Sequence, residues 1–131
     1  MDLTPKRPAD SATEMVQVVL PNDANPLGFI LGGTVMHLID IAGAIACHRH
    51  TRSLLVTAAM DDLQFLHPIK VGDLIILRSH VTCVFTTSLE AQVDVFSEET
   101  LTGQRRLTSR AFLTFVSVAS NGTRLAVPPL I

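Results

Sequence analysis

The sequence predicts an α+β fold in which an antiparallel sheet of five to six strands wraps around one long central helix. One apolar segment is long enough for a helix, and four strand-like segments joined by short turns follow it. Consecutive strands with short connections pair antiparallel, and a helix that is apolar on every side must be buried. With 131 residues, 47% of them hydrophobic, the chain is most simply one domain with a sizeable core.

A short strand, a loop and the helix make up the first half. Apolar residues at 15–20 predict the strand, which Pro21 and Asn22 end. The loop at 21–32 holds two prolines, two asparagines and two glycines, and loops of this kind present functional groups on a rigid scaffold. The helix is predicted from Gly33 to Arg49. Gly43 costs it about 1 kcal/mol relative to alanine, so we expect close packing to offset that cost.

The second half is predicted to contain four strands, at residues 54–65, 74–85, 88–96 and 105–118. Apolar and polar residues alternate cleanly in the third of these, which indicates one buried face and one wet face. We expect a flexible N-terminal tail at residues 1–11, a single domain at 12–118 and a C-terminal tail at 119–131.

The composition argues against several classes of function. The net charge is −2 and both Trp and Tyr are absent, so neither a basic surface nor a stacking platform for nucleic acid is expected. The N-terminus lacks the apolar core of a signal peptide, and the longest apolar segment is too short to span a bilayer. Cys47 and Cys83 are too few for a disulfide framework or a zinc site. A cytoplasmic protein without a bound metal is the expectation.

One carboxylate stands in the middle of the apolar helix. Asp40 lies among aliphatic residues on both sides along the chain, and burying an unpartnered carboxylate is expensive. Asp40 therefore needs a chemical reason to be there. Asn25, in the loop before the helix, is the candidate partner.

Four sequence blocks carry a wider pattern. They are the loop Asp-Ala-Asn-Pro-x-Gly-x-x-x-Gly-Gly with the helix that follows it, and the segments at 61–73, 102–116 and 127–130. In their residues and their order these blocks resemble the hotdog-fold acyl-CoA thioesterases, most closely the acyl-CoA hydrolase branch with brain-type and small bacterial enzymes. The resemblance covers most of residues 12–130, and it implies a hotdog fold.

The resemblance also implies an activity, the hydrolysis of a fatty acyl-CoA to the free acid and coenzyme A. In the resembling enzymes the loop asparagine and the helix aspartate, here Asn25 and Asp40, face one another across a dimer interface. Asp40 would be a general base on water or a direct nucleophile. Asn25 and the backbone N–H groups of Gly32 and Gly33 would polarise the thioester carbonyl. The resemblance implies at least a homodimer, usually assembled as a trimer of dimers. It implies no cofactor besides the coenzyme A of the substrate.

The contacts with coenzyme A are expected from basic residues of the last strand, because arginine binds phosphate through two donors at once. The candidates are Arg105, Arg106 and Arg110, together with Ser88. The sequence departs from the resembling family at Phe85 and Thr86, where the family tends to have Gly-Arg. This difference affects the nucleotide end of the substrate, not the thioester.

Two other functions remain open. The first is a hotdog hydratase or dehydratase of enoyl thioesters, which would use a histidine together with an acid. His37 and Asp40 match that arrangement only weakly. A non-catalytic acyl-CoA sensor is the other alternative. We expect His37 to be a hydrogen-bonded interior or interface residue, and His48, His50 and His67 to be at the surface.

Overall fold

The computed structural model describes residues 2–131 and contains one long helix packed against one antiparallel sheet. The elements in chain order are α1 (Pro8–Ser11), β1 (Thr13–Val18), a 3-10 turn (Pro21–Asp23), α2 (Gly32–Thr51), β2 (Leu54–Phe65), β3 (Leu74–Val84), β4 (Ser88–Glu98) and β5 (Arg105–Val118). The strand order across the sheet is β1-β3-β4-β5-β2, and every neighbouring pair is antiparallel. The predicted fold class and order of elements are confirmed.

The core lies between α2 and the concave face of the sheet. Alternate residues of β3, β4 and β5 point toward the helix and are almost fully buried, and they meet the buried side of α2. Val35, Ile39, Ala42 and Cys47 form that side. Helix α2 is not buried on every side, because Met36 and His37 on its other side are exposed in the single chain.

Some element ends differ from the prediction. Strand β1 covers 13–18 instead of 15–20, because the chain turns after Val18 so that Val19 exchanges backbone hydrogen bonds with Gly72 and Asp73 in the turn before β3. Helix α2 begins one residue earlier than expected and extends two residues further, to Thr51. Arg52 then ends it in the left-handed conformation, with φ of 53°.

Strand β2 contains two bulges, and it lies at an edge of the sheet. Its pairing with β5 shifts between Thr57 and Ala59 and again between Asp61 and Gln64, and Asp62 has a positive φ of 54°. A bulge changes which side chains of a strand face the core. In β2 the second bulge restores the alternation that the first reverses, and Thr57 and Phe65 both contact α2.

The two terminal segments contact each other and the end of α2. The Lys6 N–H donates to the carbonyl of Pro129 over 3.0 Å, and the Ile131 N–H donates to the carbonyl of Lys6 over 2.9 Å. The Lys6 ammonium donates to the carbonyl of His50 over 2.8 Å. Met1 lies outside the described residues. The domain limits at residues 12 and 118 stay a prediction.

No helix within residues 2–131 combines the length and the apolar character that crossing a membrane requires.

Candidate active site

Asn25 has a fixed orientation in the loop before α2. Its side-chain oxygen accepts hydrogen bonds from the N–H groups of Leu27, over 3.0 Å, and Phe29, over 3.2 Å. An asparagine that bonds to the backbone two residues on forms an Asx turn. Because the oxygen is occupied by the loop, the Asn25 NH₂ group, which has no partner within residues 2–131, is left free to donate. Asn25 thus offers its NH₂ group as a hydrogen-bond donor.

The start of α2 offers further donors beside Asn25. The first backbone bond of the helix runs from the N–H of Val35 to the carbonyl of Leu31, over 3.1 Å. The N–H groups of Gly32 and Gly33 therefore have no intrahelical acceptor, and Leu31 supplies no side-chain cap. Both glycines are exposed. The helix dipole adds a partial positive charge at this end, which favours an oxygen that becomes negative.

A cavity of about 300 Å³ opens beside these donors. Asn25 and Gly32 both line it, and most of its remaining wall is apolar. The ring of Phe65 lies over Gly32, where an added Cβ would be 3.6 Å from the ring. The other wall residues are Phe29, Ile30, Val35, Leu66, His67, Pro68, Ile69 and Ser109.

Asp40 does not line this cavity. It follows Gly32 by eight residues in α2, so the two positions are separated by about 12 Å along the helix axis. The sequence predicted a buried carboxylate whose partner is Asn25 of a second copy, and that pairing stays a prediction. Asp40 is half-buried in the single chain, and its Oδ1 accepts a hydrogen bond of 2.8 Å from the hydroxyl of Thr57.

Thr57 is a residue that the sequence analysis missed. It lies in β2 next to a bulge, within a run of apolar residues from Leu54 to Met60. A polar threonine in an apolar run was the sequence signal that could have identified it. The signal does not reveal the hydrogen-bond partner, because Asp40 lies seventeen residues earlier in the chain. Only the pairing of α2 with β2 brings Thr57 and Asp40 together.

Parts of the surface of α2 and β2 are apolar. Strand β2 has a paired neighbour, β5, on one side only. Large hydrophobic side chains remain exposed on β2 and near the start of α2, namely Leu31, Met36, Leu54, Val56 and Phe65. Large exposed apolar surfaces mark sites of association.

The predicted coenzyme A residues are not brought together in one chain. Arg105 pairs with Glu98, and Arg110 pairs with Asp94. Arg106 lines a small polar cavity that also contains Lys70. Ser88 begins β4, opposite Val116, at the other end of the strand from Glu98. The roles of Ser88 and the three arginines stay predictions.

The histidines differ from one another in burial. His50, expected at the surface, is fully buried, and its Nε2 lies 2.7 Å from the carbonyl oxygen of Pro128. The expectation was wrong because the C-terminal segment covers the end of α2. His48 and His67 are exposed as expected, and His67 lines the apolar cavity. His37 is exposed in the single chain. Residues 2–131 contain no group of three or more His, Cys, Asp or Glu side chains arranged to hold a metal ion.

Relatives of this chain carry acyl-CoA hydrolase names. YkhA, an uncharacterized acyl-CoA thioester hydrolase of Bacillus subtilis (strain 168), is 42% identical over 113 residues, which are 86% of this chain and 66% of the relative. The chain thus spans about two thirds of that relative. It spans about one third of the mammalian cytosolic acyl coenzyme A thioester hydrolases that it matches.

Solved structures agree with these relatives. An apo-hexameric acyl-CoA thioesterase superposes with a TM-score of 0.94 at 38% identity, over 98% of this chain and 82% of the other. The acyl-CoA hydrolase of Staphylococcus aureus, solved with butyryl coenzyme A and coenzyme A, superposes with a TM-score of 0.91 at 31% identity. The match covers 96% of this chain and 77% of the other. Variants of that enzyme with one aspartate, one asparagine or one threonine changed to alanine have also been solved.

The family model of the Thioesterase superfamily matches residues 27–104, from the loop after Asn25 to the start of β5. This match covers more than half of the chain. Together with the relatives, it shows that the chain belongs to the Thioesterase superfamily.

Proposed function

We propose that this chain hydrolyses acyl-CoA thioesters to a free acid and coenzyme A. The observation that carries the proposal is the pair of Asp40, oriented by Thr57, and Asn25, oriented by its own loop as a donor. The asparagine and aspartate changed in the Staphylococcus aureus enzyme are fifteen residues apart, and the aspartate and threonine seventeen. Asn25, Asp40 and Thr57 have the same order and the same separations.

The proposed chemistry divides between the start and the middle of α2. The Asn25 NH₂ group and the N–H groups of Gly32 and Gly33 donate to the thioester oxygen and stabilise it as it becomes negative. Asp40 takes a proton from the attacking water as general base, or attacks the carbonyl carbon itself. In the first route the bond to sulfur breaks and Asp40 returns the proton to the sulfur, so that coenzyme A leaves as the thiol and the acid is free. In the second route the acyl group stays on Asp40 as an anhydride, the sulfur takes a proton from water, and a water molecule then hydrolyses the anhydride. Protein groups and water supply every step.

A second copy of the chain is needed to bring these groups to one substrate. Asn25 and Gly32 line the apolar cavity and Asp40 does not, so one chain offers the donors and its partner offers the acid. The exposed apolar residues Leu31, Met36 and Phe65 and the unpaired edge of β2 support an interface here. We propose a homodimer, assembled as three dimers, in line with the hexameric relatives.

Coenzyme A is proposed to extend from the thioester toward the small polar cavity. That cavity shares Pro68 with the apolar one and contains Lys70 and Arg106. Arg106 is the best supported of the predicted phosphate ligands, because Arg105 and Arg110 are occupied by Glu98 and Asp94. A cytoplasmic location is part of the same proposal, and the mouse relative is named a cytosolic enzyme.

The test is steady-state hydrolysis of acyl-CoA, followed by thiol release. Asp40→Asn and Asn25→Ala should each lower turnover, with roughly a 10²–10³-fold loss for the missing oxyanion donor. Asn22→Ala, an exposed asparagine of the same loop, is the matched control and should keep full activity. Near wild-type rates in both site variants would reject the assignment. A crotonyl thioester that loses its double bond without releasing thiol would indicate a hydratase instead.

A further inference from the structure

We propose that Ser109 is a specificity-determining residue, and that it selects acyl groups carrying a hydrogen-bonding oxygen such as a hydroxyl or a keto group. The inference rests on the proposed function and deepens it, because it concerns the substrate class of the same site. It is drawn from one unpartnered hydroxyl in the wall of the apolar cavity.

The Ser109 hydroxyl is exceptional among the buried hydroxyl groups. Ser109 is only 2% exposed, yet within residues 2–131 its hydroxyl has no hydrogen-bond partner. Every other buried serine or threonine hydroxyl in this part of the chain has one; these residues are Ser11, Thr13, Thr51, Ser79, Thr108 and Ser117. Buried polar groups are normally satisfied, and leaving one unpaired is unfavourable. The one fully enclosed side-chain atom without a partner in residues 2–131 is His50 Nδ1, so the Ser109 oxygen is open to the cavity and bonds there to water or to a ligand that replaces the water.

The location of Ser109 indicates where that partner binds. Ser109 lines the apolar cavity together with Asn25 and Gly32, the residues proposed to hold the thioester carbonyl. In the sheet it lies directly opposite Phe65, whose ring covers Gly32. A ligand whose carbonyl is held by Asn25 thus extends along a wall that is apolar except at a few points, one of which is this hydroxyl.

The acyl group is the part of the substrate that fits this cavity. No lysine or arginine lines it, whereas the neighbouring polar cavity contains Lys70 and Arg106 beside the carboxylates of Asp73 and Glu99. The phosphates of coenzyme A bind favourably to cationic side chains. The uncharged acyl end of the thioester is therefore expected to bind in the apolar cavity. Its volume of about 300 Å³ is at the small end of the range for ligand pockets.

An acyl group with its own oxygen satisfies the Ser109 hydroxyl, and a plain alkyl chain leaves it unpaired. A neutral hydrogen bond of this kind is worth about a threefold to tenfold difference in affinity. We therefore expect a preference of about that size for an oxygenated acyl group over an alkyl group of the same length.

The experiment measures this preference by equilibrium binding, which needs no turnover. The full-length protein is titrated calorimetrically with the non-hydrolysable thioether analogues of butyryl-CoA and 3-hydroxybutyryl-CoA, and kcat and KM are measured with the two thioesters. Ser109→Ala removes the hydroxyl. Ser117→Ala is the matched control, because Ser117 is buried in the same strand but bonds to Ser53 over 2.6 Å and lies outside the cavity.

The wild-type protein and Ser117→Ala should bind the hydroxyacyl analogue about threefold to tenfold more tightly than the plain one, and Ser109→Ala should lose this preference. The change should be seen in KM more than in kcat, and Ser109→Cys, with its weak donor, should be intermediate. The inference is overturned if wild type has no preference or if Ser109→Ala keeps it. An equal loss of affinity for both analogues also overturns it, since the hydroxyl would then contact coenzyme A. Absence of all hydrolysis, with the binding preference intact, would reject only the proposed function.

Discussion

The Thr57 hydroxyl donates to the Asp40 carboxylate over 2.8 Å, linking the edge strand β2 to the middle of helix α2. The contact occupies one carboxylate oxygen and leaves the other free for a water molecule or a substrate. Both residues belong to the same chain, so the carboxylate is oriented before a second copy binds. A functional group held in this way by its neighbour needs little rearrangement to react.

Replacing Thr57 by valine should impair the proposed reaction without disturbing the fold. Valine keeps the β-branched shape of threonine and removes the donor to Asp40, so the carboxylate loses its fixed orientation. We expect kcat to fall about tenfold, which is less than the roughly 10²–10⁴-fold effect of a general acid–base group itself, because Thr57 only orients that group.

Thr57→Ser is the control for that change, because serine retains a hydroxyl at the same position. It should recover most of the activity. If serine and valine variants were equally impaired, packing of the threonine methyl group, and not the hydrogen bond, would be the important contribution.

The fold could be predicted because its signals are local. The apolar helix, the alternation in β4 and the short turns each depend on residues close in sequence, and antiparallel pairing follows from the short connections. The position of Asn25 was predictable for the same reason, since its oxygen bonds to residues two and four positions later.

The features that could not be predicted from the sequence depend on contacts between distant parts of the chain. Thr57 and Asp40 meet only through the packing of β2 on α2. Ser109 reaches the cavity wall only because β5 pairs with the end of β2. His50 is covered by a C-terminal segment whose sequence, rich in proline, gave no sign of where it would pack.

Replacing His50 by leucine should destabilise the protein. Its ring nitrogen Nε2 bonds to the buried carbonyl of Pro128 over 2.7 Å, and leucine would leave that carbonyl without a donor. We expect the free energy of unfolding in urea to fall by about 1–3 kcal/mol. His48→Leu, at an exposed position of the same helix turn, should cost less. Equal losses would show that helix-end composition, and not the Pro128 contact, is responsible.

Gly43→Ala should be tolerated, contrary to the expectation that close packing requires glycine here. A Cβ at Gly43 would be 3.4 Å from the Phe115 ring and 3.5 Å from the Leu113 side chain, which is ordinary contact. The gain in helix propensity should therefore raise the free energy of unfolding by up to about 1 kcal/mol. Gly43→Val, which adds atoms beyond Cβ, should lower it. If Gly43→Ala lowered the free energy of unfolding as much as Gly43→Val, close packing would require glycine at this position.

The Asp94–Arg110 pair should make stability depend on pH at the acid end. Burial alone would raise the pKa of Asp94, but hydrogen bonds from Arg110 and Gln92 bring it below its usual range. The stabilisation is present above the pKa of an unfolded aspartate and is lost as pH falls through the lower folded-state pKa. Asp94→Asn should therefore be less stable at neutral pH and should lose less stability than wild type between about pH 5 and pH 2. Parallel urea-unfolding curves across this range would contradict the prediction.

Cys47 should be inert to thiol reagents in the folded protein. Burial among the core residues of α2 raises the pKa of its thiol to about 12, so at pH 8 the thiolate fraction is on the order of one in ten thousand. In a Cys83→Ser variant, which leaves Cys47 as the single thiol, a colorimetric disulfide reagent should give almost no reaction at pH 8 until the protein is unfolded. Wild type supplies the comparison, because Cys83 is only partly buried. Rapid native-state labelling of the variant would mean that the helix opens readily at Cys47.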